Sequence, residues 1–133
     1  MVDVVIRRYG PADEQAFFAM LEGEGDDWRE YVGPAGRPAY ARAMRSSIAY
    51  LLLVDGELCG YARCRDDDGF GVYVHDLLVR GPHRGRHLGR ALMERVCADA
   101  PGQTVYVMSD VDPYYEKLGY ARAGSIFVVT PGA

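Results

Sequence analysis

The sequence predicts a single α/β domain built on a mixed sheet, and three observations carry that prediction. Strand-length apolar runs lie at both ends and in the middle of the chain. Asp55-Gly56, between two of the runs, is a two-residue hairpin signal. Segments with helical apolar spacing separate the other runs. With 133 residues the chain suits one domain with a full core.

The elements follow in order. Val2 to Arg7 is rich in β-branched residues and reads as a first strand. Pro11 suits the first turn of a helix whose apolar face carries Phe17, Phe18 and Leu21. Glu22 to Pro38 breaks into glycines, prolines and acids, and Arg37 to Ser46 reads as a second helix. Ile48 to Val54, Leu58 to Arg65 and Phe70 to Val79 then form an antiparallel meander, turned at Asp55-Gly56 and at Asp66 to Gly69. Leu88, Ala91, Leu92 and Val96 repeat at helical spacing, which places a helix from about Arg86 to Ala98, ended by Pro101-Gly102. Thr104 to Met108 is a buried strand by composition. Asp112-Pro113 opens a short helix that stops at Gly119, and Ser125 to Thr130 closes the fold as a last strand.

Composition excludes several classes. The apolar fraction of 49% and the charged fraction of 26% are those of a globular chain rather than a disordered one. A net charge of −4 argues against a nucleic-acid partner, because such proteins carry a broad basic surface. The longest apolar run, Ile48 to Val54, is too short to span a bilayer, so no membrane partner is expected. No basic start with an apolar core follows the first residue, so no signal peptide is expected. The three cysteines, Cys59, Cys64 and Cys97, lie in apolar or amphipathic segments and read as buried thiols in a reducing compartment, with cytoplasm the expectation.

Against that acidic background, His83 to Met93 (HRGRHLGRALM) is locally basic: five arginines stand between Val79 and Arg95 against one acid, Glu94. The first amides of a helix have no partner within it, and the helix dipole adds positive charge there. A strand running into such a turn is suited to an anion. Gly85 and Gly89 let the backbone come close to a ligand, while Arg80, Arg84, Arg86 and Arg90 add guanidinium groups suited to phosphate. A compact polyanion such as a pyrophosphate fits; a solvated basic helix start without a ligand is the plainer alternative. The P-loop and the Gly-x-Gly-x-x-Gly fingerprint are both absent. His83 and His87 stand four apart, but the turn falls between them and no Cys, Asp or Glu completes a set, so no metal is expected.

These residues resemble the GNAT superfamily of acyl-CoA-dependent N-acetyltransferases. The family's Arg/Gln-x-x-Gly-x-Gly/Ala signature reads here as Arg84-Gly85-Arg86-His87-Leu88-Gly89, after a strand ending Leu78-Val79 and before Arg90-Ala91-Leu92. His87 stands where the signature has its first glycine, and a β-carbon there restricts the turn. Tyr114 to Tyr120 (YYEKLGY) is similar to the family's aromatic segment near the C-terminus. The resemblance implies a mostly antiparallel twisted sheet with helices on both faces and a V-shaped splay between the fourth and fifth strands. It implies acetyl-CoA as co-substrate and a primary amine as acceptor, with direct attack through a tetrahedral intermediate. Leu77, Leu78 and Val79 would pair with the pantetheine arm. Arg84, Gly85, Arg86, His87, Leu88, Gly89 and Arg90 would hold the pyrophosphate.

The chemistry then asks for two more groups. A lysine-like amine with pKa about 10.4 is neutral in about 1 of 2,500 molecules at pH 7, a penalty of about 4.6 kcal/mol. A base near the strand would lower it; Asp76 is the first candidate, with His75 and Asp110 behind. The leaving thiolate needs a donor, and Tyr115 matches the family's tyrosine near the sulfur. Leu21 to Tyr31 (LEGEGDDWREY) sits where the family builds its acceptor site. Asp26 and Asp27 would attract a cationic amine, and Trp28 or Tyr31 would stack on it; a solvated acidic loop is the alternative. A small-molecule amine is the preferred acceptor, and a homodimer extended through Ser125 to Thr130 is a further expectation. Two rival classes are a non-catalytic acyl-CoA sensor and an interaction module that binds a phosphorylated partner.

Overall fold

The computed structural model describes residues 2–132. Five strands form one sheet in the order β1-β2-β3-β4-β5, with β1 Val4–Arg8, β2 Ile48–Val54, β3 Glu57–Asp66, β4 Val72–Val79 and β5 Val105–Val107. The first four pair antiparallel in sequence, and β5 pairs with β4 in parallel. The helices are α1 Glu14–Glu22, α2 Arg29–Val32, α3 Gly36–Ser46, α4 Leu88–Asp99 and α5 Asp112–Lys117.

The sheet is covered on both faces. Phe17, Phe18 and Leu21 of α1 pack with Tyr40, Ala41 and Met44 of α3 over one face; Leu88, Leu92, Met93 and Val96 of α4 cover the other. β2 serves both layers, with Leu51 on the α1 side and Leu52 on the α4 side. A strand buried on two faces needs apolar residues at successive positions, which is why Ile48 to Val54 reads as a continuous run. Asp55 and Gly56 both take positive φ (51° and 81°), the conformation a two-residue hairpin demands.

β4 carries the irregularity that shapes the site. Arg63 on β3 stands opposite Asp76, and the next residue, Cys64, stands opposite Val74, so His75 is an extra residue in a β-bulge. Before the bulge, Val72 and Val74 pack against the α4 layer; after it, Asp76 and Leu78 face the α1–α3 layer. β5 pairs only with Val72, Tyr73 and Val74, and the last contact is the Met108 amide on the Val74 carbonyl at 2.9 Å. Beyond Val74 the two strands part, and among the described residues Leu77 to Val79 have no strand partner on that side.

Several sequence expectations need correction. Pro11 opens a 3₁₀ turn, Pro11–Asp13, and the α-helix starts at Glu14. The broken stretch before α3 contains a 3₁₀ turn at Asp26–Trp28 and the short α2. Phe70 lies outside β4 and is exposed. Cys59 and Cys64 are buried, but Cys97 is exposed on α4. The largest difference is the last strand: Ser125 to Thr130 joins no sheet, and Ile126, Phe127, Val128 and Val129 are 67–91% exposed. Strand propensity measures fit to a pleated, half-buried surface, and it forms no ladder without a neighbour.

Candidate active site

The chain enters the basic turn from β4 through a 3₁₀ turn, Gly81–His83, and leaves it in α4. Arg80 closes the ladder by donating its amide to the Cys59 carbonyl at 2.9 Å. By antiparallel alternation, Leu78 bonds toward β3, and the backbone groups of Leu77 and Val79 point into the gap that β5 leaves. Arg84 Nε donates to the Val79 carbonyl at 2.8 Å, which folds the turn back over the end of the strand. Gly85 takes φ 83° and His87 takes φ 60°, ψ 23°. His87 is thus a left-handed residue at the cap of α4, the conformation glycine accepts at least cost. Histidine is among the side chains that tolerate it. Arg84, Arg86 and Arg90 are exposed, whereas Leu88 and Gly89 are buried. A β-carbon on Gly89 would strike the Tyr114 hydroxyl, so the Tyr114 side chain of α5 rests on Gly89 and would have to shift for any larger residue.

Tyr115 is half-buried on α5, with its ring 6.4 Å from that of Tyr120 and nearly parallel to it. Burial pushes its hydroxyl up to about 12, with the neighbouring Tyr114 and Asp110 adding to the effect. It lines a cavity of about 960 Å³ bounded by α4, β5, α5 and residues 120–126, which also touches Arg90. That cavity lies on the outer side of β5 and is not lined by Leu77 to Val79. The opening between β4 and β5 is thus set by strand geometry and is distinct from that cavity.

On the α1–α3 side the structure gathers a polar network that spacing in the sequence could not reveal. Asp76 Oδ2 accepts Arg63 Nε at 2.6 Å and the Tyr40 hydroxyl at 2.6 Å, and the Tyr40 and Tyr61 hydroxyls meet at 2.6 Å. Arg63 also donates to Ser47 Oγ at 3.2 Å. Burial works against the Arg63 cation, but the Asp76 bond and charge outweigh it and hold the guanidinium firmly protonated. Burial, then the Asp76 charge, raises the Tyr40 hydroxyl well above the ordinary tyrosine value, so it remains a donor. The neighbouring His75 is pushed down, by burial first and the Arg63 charge second, and stays neutral.

The acceptor segment divides in two. Trp28 and Tyr31 turn inward, Trp28 lying 5.8 Å from the Tyr61 ring and Tyr31 lying 4.4 Å from the Tyr40 ring. Asp26 and Asp27 point to solvent, and Asp26 is engaged by Arg29. The aromatic half thus joins Asp76 through Tyr40 and Tyr61, and the two aspartates stand apart from it. Asp110 is exposed on the loop before α5. Tyr40, Tyr61 and Arg63 were missed at the sequence level; a lone arginine in the apolar strand Leu58 to Cys64 was the available signal.

Among the described residues, no helix is long and apolar enough to cross a membrane. The profile of the acetyltransferase (GNAT) family matches residues 15–120. A mycothiol acetyltransferase of Streptomyces scabiei is 33% identical over 91 residues, which is 67% of this chain and 30% of the relative. The chain thus spans about a third of the length of the curated relatives it matches first. An aminoglycoside acetyltransferase from an uncultured soil metagenome superposes with TM-score 0.76 at 23% identity, covering 98% of this chain and 99% of its own. An aminoglycoside N-acetyltransferase solved with CoA gives 0.75 at 11% identity, covering 100% and 97%. With the profile matching residues 15–120 and the fold shared with these solved acetyltransferases, the chain belongs to the GNAT family of acetyltransferases.

Proposed function

We propose that the protein transfers an acetyl group from acetyl-CoA to a primary amine by direct attack. One observation carries the reading: β4 and β5 part after Val74, leaving Leu77 and the Val79 amide without a strand partner just before a turn of arginines and unpaired helix amides. The residues fit the co-substrate. Leu77 and Val79 offer strand hydrogen bonds to an amide-bearing arm, with Leu78 between them holding the strand in the core. The Arg84 to Arg90 turn, including Gly85, Arg86, His87, Leu88 and Gly89, supplies backbone donors and guanidinium charge for a diphosphate.

The remaining roles belong to side chains. Asp76 serves the incoming amine: two donors occupy its Oδ2, and Oδ1 is the oxygen assigned to take the proton. Trp28 and Tyr31 wall the acceptor side, and Asp26 and Asp27 draw a cation toward it from solvent. Tyr115 donates to the departing sulfur. With its hydroxyl near 12 and a thiol near 8.5, complete transfer is uphill by about 5 kcal/mol, so the proton moves only as the carbon–sulfur bond breaks. The names of the relatives, mycothiol and aminoglycoside acetyltransferases, support a small-molecule amine as acceptor. The exposed Ile126 to Val129 run supports a homodimer as the working assembly.

The test is a panel of small amines, amino sugars, polyamines and peptide N-termini with acetyl-CoA, read by free thiol release. Turnover with any acceptor supports the reading. CoA binding without turnover across the panel favours a sensor instead, and no CoA binding removes both.

A further inference from the structure

Glu24 follows α1 and precedes the Asp26–Trp28 turn. Its side chain is only 11% exposed, unlike its acidic neighbours on the segment. Glu24 Oε2 accepts Arg80 Nε at 3.4 Å, and Oε1 stands 3.5 Å from Arg84 Nη2. Arg80 directly follows β4, and Arg84 is the first residue of the proposed diphosphate turn. The other acids of the segment pair elsewhere or face water: Glu22 bonds Arg37 at 3.2 Å, and Asp26 engages Arg29. One inward carboxylate therefore joins the acceptor side to the cofactor side.

The chemistry of that junction is competitive. A sheltered carboxylate must be paired, and here its partners are cations that a diphosphate also wants. Arg84 is 63% exposed and has room to turn toward an incoming anion. Each ion pair it forms with phosphate weakens its hold on Glu24. Four residues later in the chain, Trp28 rests against Tyr61 and, at 5.6 Å, against Tyr31.

We propose that Glu24 is a positioning residue that couples the two halves of the site, so that occupation of the diphosphate turn is transmitted through Arg80 and Arg84 to Trp28 and the acceptor wall. The proposal rests on the acetyl-CoA reading above. By linkage, whatever factor CoA imposes on the acceptor side, the acceptor imposes on CoA.

Trp28 is the sole tryptophan, so its emission reports this segment alone. The experiment titrates CoA into wild type and Glu24→Gln, following heat by calorimetry and Trp28 emission in parallel. In wild type the emission change follows the heat with one Kd. Glu24→Gln binds CoA within about fivefold of wild type, on the tighter side because a repelling charge is gone, yet loses roughly two thirds or more of the emission change. A Gln variant with the full emission change, or wild type that binds CoA with a silent Trp28, overturns the coupling alone. Absence of CoA heat in wild type overturns the acetyl-CoA reading, and the coupling with it. Should Glu24→Gln fail to fold by circular dichroism, Glu24→Asp carries the same test, because the shorter side chain draws the carboxylate away from both arginines.

Discussion

Arg63 Nε donates to Asp76 Oδ2 at 2.6 Å, across the β3–β4 register in which the two residues stand directly opposite each other. Both side chains are largely buried, at 14% and 12% exposure. Removing one partner strands the other charge. Asp76→Asn should therefore cost about 2–3 kcal/mol, a little under the range for fully buried pairs. If Asp76 is also the base, kcat falls by about 100-fold or more while CoA affinity stays within about threefold. Thermal unfolding and thiol-release kinetics read the two effects separately. An Asn variant that unfolds earlier but keeps its kcat would confine Asp76 to a structural role.

Tyr115→Phe removes a donor and little volume. The expected loss is about 10–100-fold in kcat, with CoA affinity held within about threefold. Because burial lifts the Tyr115 hydroxyl to about 12, it stays protonated across the working range. Wild-type activity should thus show no alkaline loss attributable to this residue below about pH 10. Rates measured from neutral to alkaline pH, with the Phe variant as reference, check both statements.

His87 holds a left-handed conformation that glycine accepts more readily. His87→Gly trades that strain against greater freedom in the unfolded chain, and the net gain is up to about 1 kcal/mol. His87→Val, β-branched, should lose about 1–2 kcal/mol. Chemical denaturation ranks the three proteins. CoA calorimetry on the Gly variant shows whether the imidazole crowds the diphosphate or helps to hold it: tighter binding indicates crowding.

Asp26 and Asp27 both face water, so the proposed acceptor role leaves them only long-range attraction. Asp26→Asn with Asp27→Asn should raise the acceptor KM by about threefold at low salt, and the difference should fade as ionic strength shortens the screening length. An unchanged KM at low salt would assign the pair to solvation.

The proposed dimer has its own test. Phe127→Asp with Val128→Lys puts charges on two exposed apolar positions of the chain's tail. Sedimentation should find wild type dimeric and the double variant monomeric; a monomeric wild type at all concentrations removes the proposal.

The elements that local chemistry dictates were legible before the structure. Asp55-Gly56 has the backbone angles of its turn, and β2 and α4 lie within two residues of the expected bounds. The basic turn was legible too, because its glycines and arginines are consecutive. What escaped is non-local. Tyr40, Tyr61, Arg63 and Asp76 meet across separations of 13 to 36 residues, and spacing along a chain says nothing about partners on other elements. Ser125 to Thr130 failed for a related reason: its composition favours a strand, but a strand exists only beside another.

The extra residue at His75 has one more consequence. Because successive side chains on a strand alternate between faces, the bulge fixes the parity of β4. Ironing the bulge into a regular ladder while keeping every residue would put Asp76 on the face of Val74, toward α4, whereas deleting the extra residue would leave Asp76 opposite Arg63 and on its present face. Strand length and bulge are therefore coupled: a one-residue deletion conserves the layout only where the bulge is lost with it, and a change of two residues only where the bulge is kept.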